Sequence, residues 1–175
     1  MKNIKKMKNR IQIQHYLSPC GELLLGSLGE KLCLCNWTKE KHPGRVDKRL
    51  QTLLKAEYEE RESDITREAA RQLDEYFRHE RQQFTLPLLF AGTEFQQSVW
   101  QQLLEIPYGQ TISYGEMAQR LGMPKAVRAV ANANGANAIS LFAPCHRVIG
   151  SNGSLTGFGG GIDAKRFLLE LESGK

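Results

Sequence analysis

The sequence predicts an α/β chain in two parts: a small N-terminal α/β unit with its linker over residues 1–91, and a mostly helical unit over 92–175. Three observations predict it. Residues 11–37 read as strands between turn signals. Capping boxes at Thr93 and Ser113 open helices once the composition changes near Gly92. Two short helices then flank a glycine-containing turn, the pattern of a helix-turn-helix.

Taken in order, Ile11 to Tyr16 alternates apolar with polar, and Pro19-Cys20-Gly21 and Gly29-Glu30 supply turns, so this stretch is a set of strands. Asn36 to Lys48 is polar, holds Pro43-Gly44 and reads as a loop. Val46, Leu50, Leu53, Leu54 and Tyr58 follow helical spacing, as do Ala69, Leu73, Tyr76 and Phe77, with a polar break at Arg61 to Asp64. Phe84 to Leu89 is a further strand or an extended linker. This first half carries no recognisable chemistry. In the second half, Thr93-Glu94-Phe95-Gln96 opens a helix with Phe95, Val99, Leu103 and Leu104 on one stripe, ended by Pro107-Tyr108-Gly109. Ser113 to Glu116 opens a short helix that stops at Gly122. Pro124 suits the first turn of a third helix running to Asn134-Gly135. That helix is rich in small residues (Ala126, Ala129, Ala131, Ala133), which allow close approach to another surface, with Arg128 as its long cation.

The chain has 175 residues, 41% of them hydrophobic and 25% charged, as in an ordinary globular protein with apolar material enough for a core. Its apolar runs, such as Leu23 to Leu25, fall far short of the roughly 20 residues that cross a bilayer, so no membrane association is expected. The Lys-rich start (Lys2, Lys5, Lys6, Lys8, Arg10) is followed by no apolar segment with a cleavage site, so a signal peptide is not expected either. Cys20, Cys33, Cys35 and Cys145 are accordingly read as reduced thiols of a cytoplasmic protein. Cys33 and Cys35 alternate with leucines and read as small apolar residues of a strand, since a C-x-C without a second ligand pair is a weak zinc signal. Residues 1–85 hold 17 Lys/Arg against 13 Asp/Glu, and residues 86–175 hold 7 against 6. A net charge of +5 permits a nucleic-acid partner without locating one.

The chemical information is concentrated in Asn137 to Gly161, which contains Pro144-Cys145-His146-Arg147-Val148 and the glycine run Gly157-Phe158-Gly159-Gly160-Gly161. A thiol is a good nucleophile only as thiolate, so Cys145 would need a base nearby. On a strand His146 would point to the opposite face; contact requires a turn or a bridging water. The pair alone leaves several readings open: a cysteine protease with a distant histidine, part of a metal site, or a buried structural thiol beside a surface histidine.

The Pro-Cys-His-Arg-Val run, with Asn137 before it and the glycine cluster after it, closely resembles the active-site segment of O6-alkylguanine-DNA alkyltransferases. The similarity runs from Phe95 through Glu172 and includes Ile112-Ser113-Tyr114, Arg128-Ala129-Val130, Lys165, Leu168 and Leu169. It implies a ribonuclease H-like first domain and a winged-helix-like second domain carrying the helix-turn-helix and the acceptor cysteine. It further implies that Cys145 takes the alkyl group from O6-alkylguanine, with O4-alkylthymine a possible second lesion. His146 would act through water as base, Glu172 would orient it, and Asn137 would support the surrounding turn. Tyr114 would give a proton to the departing guanine. Arg128 would fill the gap of the flipped nucleotide on a helix whose Ala129 faces DNA, and Ser151 would meet phosphate. Gly159, Gly160 and Val148 would wall the base. The implied partner is double-stranded DNA with alkylated guanine, met by a monomer without metal or cofactor. Ala138 and Ala131 depart from the family, which usually has Pro and often Gly there. Two rivals remain: a non-catalytic lesion-binding protein, which would lack the acceptor cysteine, and a transcription regulator, for which the Ala-rich third helix offers few side chains to read bases.

Overall fold

The computed structural model describes residues 9–40, 42–155 and 158–174. Lys2, Lys5, Lys6 and Lys8 of the basic start, and Gly157 of the glycine run, lie outside them.

The first half is a four-stranded sheet of order β3-β2-β1-β4, formed by β1 (Asn9–Ser18), β2 (Gly21–Leu28), β3 (Lys31–Trp37) and β4 (Ala56–Glu60). β1, β2 and β3 form an antiparallel meander, and β4 runs parallel to β1 with Ile11 opposite Tyr58. Gly21 allows the tight β1–β2 turn, with a φ of 137° that side chains disfavour. α1 (Arg45–Leu54) links β3 to β4 and ends at Lys55 in the left-handed region. The predicted helix through Tyr58 is therefore too long: after Lys55 the chain turns into β4, where Tyr58 donates to Asp47. α2 (Asp64–Phe77) lies across the sheet and buries Ala69, Leu73 and Tyr76. The predicted polar break is its cap: Ser63 Oγ accepts from Thr66 N at 3.0 Å, and Thr66 Oγ1 accepts from Ser63 N at 2.8 Å. Such caps contribute about 1 kcal/mol each. Cys33 and Cys35 are fully buried in β3.

The second half begins with α3 (Glu94–Leu103), whose capping box at Thr93 is present in both directions. Its inner face is Val99, Trp100 and Leu103, whereas Leu104, the C-cap residue predicted on the same stripe, is 42% exposed. β5 (Ile112–Ser113) leads into α4 (Tyr114–Arg120), capped by Ser113. α5 (Val127–Gly135) follows a turn containing Pro124, so that proline stands before the helix rather than in its first turn. A single 3-10 turn at Cys145–Arg147 is followed by β6 (Val148–Ile149), which pairs parallel with β5, and by α6 (Gly161–Glu172). The mixed α/β architecture with a helical second half is the one expected.

The halves share one hydrophobic core. The exposed edge of β3 is covered by two stretches of chain: Leu32 exchanges backbone bonds with Pro87 and Leu89 at 2.9 and 2.8 Å, and Cys35 with Ala138 and Ser140 at 2.8 Å each. Phe84 to Leu89 is thus an extended linker that touches the sheet at one bridge, Leu32 to Leu88. The second contact matters more for the site. It anchors residues 138–140, immediately upstream of Cys145, to the sheet of the first half, so Ala in place of Pro at 138 does not leave this loop unsupported.

Candidate active site

Cys145 opens the 3-10 turn and is 4% exposed. That turn resolves the facing problem posed by adjacent cysteine and histidine, because side chains here do not alternate as on a strand. Asn137 shapes the approach: its Nδ2 donates to Ala143 O at 2.9 Å and its Oδ1 accepts from Ile139 N at 3.0 Å. Leu141, in the same loop, holds a positive φ of 70°, a strained conformation kept in place by burial. From α5, Asn134 Nδ2 donates to Cys145 O at 3.2 Å. Cys145 Sγ lies 4.0 Å from Ser140 Oγ.

His146 is fully buried, and its Nε2 is 2.7 Å from Glu172 Oε2. Nδ1 has no protein partner among the described residues. With Nε2–H donating to the carboxylate, Nδ1 is the acceptor nitrogen of the ring. Glu172, the last residue of α6, is also held by Arg147, whose Nε and Nη2 donate at 2.8 and 2.9 Å. Arg147 Nη1 donates to Ile106 O at 2.7 Å. Gly109 N and the Tyr76 hydroxyl complete the set at 3.2 and 2.6 Å. Burial works to raise the Glu172 pKa, but the bonds from His146 and Arg147 outweigh it and hold the carboxyl well below the usual range. Burial also pushes the Cys145 thiol up, against the opposing influence of Asn137, Ser140 and Lys165. For His146 burial lowers the pKa, and the attraction of Glu172 does not restore it. Both shifts favour the neutral forms, thiol and imidazole.

Tyr114, at the start of α4, is 7% exposed; burial raises its pKa, opposed by a hydrogen bond from Asn134. Lys165 is fully buried, donates to Val148 O at 2.7 Å, and sits 5.8 Å from the Tyr114 ring centre and 5.9 Å from that of Phe158. The structure thus groups Cys145, His146, Glu172, Asn137, Tyr114 and Val148. Arg128 and Ala129 stand apart, exposed on α5, and Ser151 is exposed in the turn after β6. Gly159 and Gly160 lie against the indole of Trp37; a Cβ on Gly160 would come within 2.5 Å of that ring. No group of three or more His, Cys, Asp or Glu among the described residues could hold a metal, and no described helix could cross a membrane.

Sequence reasoning missed Arg147, Tyr76 and Trp37. Arg147 lay inside the matched run, and its position next to His146 could have suggested a partner for Glu172. Tyr76 and Trp37 come from the half assigned no chemistry, and Tyr76 nevertheless reaches Glu172 of the second half. Nothing in the local sequence announces either contact.

Residues 94–174 match the family described as 6-O-methylguanine DNA methyltransferase, DNA binding domain, and residues 12–90 match its ribonuclease-like domain. The chain is 48% identical to the methylated-DNA–protein-cysteine methyltransferase of Methanosarcina acetivorans over 155 residues, 89% of this chain and 94% of that one. It also superposes on the O6-methylguanine methyltransferase of Mycobacterium tuberculosis with a TM-score of 0.80 at 41% identity, covering 94% of this chain and 93% of the other. Mycobacterium tuberculosis OGT in complex with DNA matches with a TM-score of 0.78 at the same identity, over 94% and 93% of the two chains. Both halves of the chain and their arrangement carry the likeness, so the chain belongs to the 6-O-methylguanine DNA methyltransferase family.

Proposed function

We propose that the protein repairs DNA directly, moving the alkyl group of O6-alkylguanine onto Cys145 in a single irreversible event. The observation that carries this is a buried thiol in the same turn as an imidazole whose Nε2 is fixed on Glu172 and whose Nδ1 has no protein partner. Residues 92–175 are read as the DNA-binding and acceptor unit, on residues 1–91 as support.

The lesion lies inside the duplex, so the nucleotide has to be flipped out, at a cost of a few kcal/mol that a damaged pair reduces. α5 presents the small Ala129 to the groove, Arg128 fills the vacated stack, and Ser151 meets phosphate. The base enters between Gly159, Gly160 and Val148, with Asn137 supporting the loop below. His146 takes the Cys145 proton at Nδ1 through one bridging water. The sulfur lone pair forms the S–C bond as the C–O6 bond breaks, and Tyr114 protonates the guanine that receives the electron pair. The proton on His146 then makes good the one lost by Tyr114 through solvent. The product is a thioether that water does not cleave, so one chain repairs one lesion, and the scheme calls for no cofactor. The reading includes a monomer in the cytoplasm. A purely lesion-binding role is not favoured, because the acceptor is present.

Incubating the protein with duplex DNA containing O6-methylguanine should raise the mass of the peptide holding Cys145 by about 14 Da, with a Cys145→Ser variant unchanged. Lesion binding with no mass change in the unsubstituted protein would reject the proposal.

A further inference from the structure

We infer that Tyr76, on α2 of the first half, is a positioning residue of the alkyl-transfer site: its hydroxyl shares one Glu172 oxygen with His146 and thereby sets how readily the imidazole takes up the Cys145 proton. This rests on the proposed reaction and deepens it.

Glu172 Oε2 receives Tyr76 Oη at 2.6 Å, His146 Nε2 at 2.7 Å and Arg147 Nη2 at 2.9 Å. Oε1 receives Arg147 Nε at 2.8 Å and Gly109 N at 3.2 Å. A carboxylate offers about four lone-pair positions, so five donors saturate it and compete for its charge. Each bond given to another donor leaves less charge to stabilise an imidazolium at Nε2. The Tyr76 side chain is fully buried and its ring is locked by Phe77, Phe84 and Tyr108, with ring centres 5.2, 5.4 and 6.1 Å away. The hydroxyl is thus held on the carboxylate with little freedom to leave it. Burial, and then the neighbouring Glu172 charge, raise the pKa of this phenol, so it remains a donor.

Packing alone would be served by phenylalanine; the oxygen is the informative atom. The other ionisable groups around the His146–Glu172 pair are Arg147 and Cys145 of the 3-10 turn, Lys165 of α6 and Tyr108 of the loop after α3. All belong to the second half, so through Tyr76 the first half acts on the proton acceptor.

Replacing Tyr76 with Phe removes the competing donor, leaves more negative charge facing His146 and raises the imidazole pKa. Alkyl transfer needs neutral His146, so the acid limb of its rate profile should move to higher pH, by roughly half to one unit. In rate terms Tyr76→Phe should lose about three- to tenfold on the acid limb and less than about twofold near pH 8. A Phe84→Leu variant loosens the same ring cluster but keeps the hydroxyl; it should lose stability without moving the midpoint. In the unsubstituted protein, the Tyr76 hydroxyl proton and the His146 Nε2 proton should give a mutual cross-relaxation signal by NMR, a check that does not depend on any variant folding. An unmoved midpoint in Tyr76→Phe, an equal loss at every pH, or the absence of that signal overturns the inference. Absence of transfer by the unsubstituted protein instead overturns the reaction on which it rests.

Discussion

Replacing Arg147 with Met tests the electrostatics of the site most directly. The guanidinium side chain is 7% exposed and the Glu172 carboxylate 1%, and the two share a bidentate contact at 2.8 and 2.9 Å. Methionine keeps much of the apolar volume but leaves the carboxylate with His146, Tyr76 and Gly109 only, and Ile106 O without its donor. Breaking a buried pair by removing one partner costs about 3–5 kcal/mol. In a chain of this size, each kcal/mol lowers Tm by roughly 2–4 °C, so Tm should fall by roughly 6–20 °C. The pH dependence has a definite sign. The folded pKa of Glu172 is depressed below its ordinary value of 4.5, so its contribution is present above that value and is lost as pH falls through the folded pKa. The stability gap between the native protein and Arg147→Met should therefore be full at neutral pH and close in acid. Urea unfolding followed by tryptophan fluorescence across that range measures it. A gap below about 1 kcal/mol at neutral pH, or one that widens in acid, would refute the reading that the Arg147 bonds help hold the Glu172 carboxyl in its charged form.

Gly160→Ala should destabilise by about 1–3 kcal/mol, because the new methyl meets a rigid indole with little room to retreat. Combining it with Trp37→Ala should give less than the sum of the two losses, and strict additivity in thermal melts would show that the two residues are not in contact. The second half, with 7 Lys/Arg against 6 Asp/Glu, neutralises few phosphates, so DNA affinity should fall gently with salt. A slope corresponding to about ten phosphate contacts would bring the Lys-rich start of the chain into the interface.

How much of this was legible in sequence depended on how local the cause was. Capping residues declared two helices: Thr93 and Ser113 each accept from the backbone three residues on, whereas Ser63, read only as part of a polar break, does the same for α2. The strand meander followed from alternation, and the family motif pointed to Cys145, His146 and Glu172. Tyr58 was misplaced because its helical spacing from Val46 is real, yet Lys55 adopts a left-handed conformation and breaks the run. Periodicity carries no record of one residue's dihedral. Tyr76 was read as one more apolar position of an amphipathic helix, and its ring does pack there. Its oxygen acquires meaning only from a carboxylate 96 residues away. Trp37 and Gly160 are likewise joined by tertiary packing alone.

The covered edge of β3 has a further consequence for solubility. Leu32, Cys33, Leu34 and Cys35 are fully buried, and this strand ends the sheet. Withdrawal of residues 87–89 and 138–140 would bare unpaired amides and carbonyls along an apolar edge without proline or charge between Leu32 and Cys35, the kind of template on which chains aggregate edge to edge. The loop that leads into Cys145 is also one of the two guards on that edge. The first half expressed alone would keep residues 87–89 but lose 138–140, so the β3 edge beside Cys35 should self-associate, and the second half acts on it as a built-in chaperone.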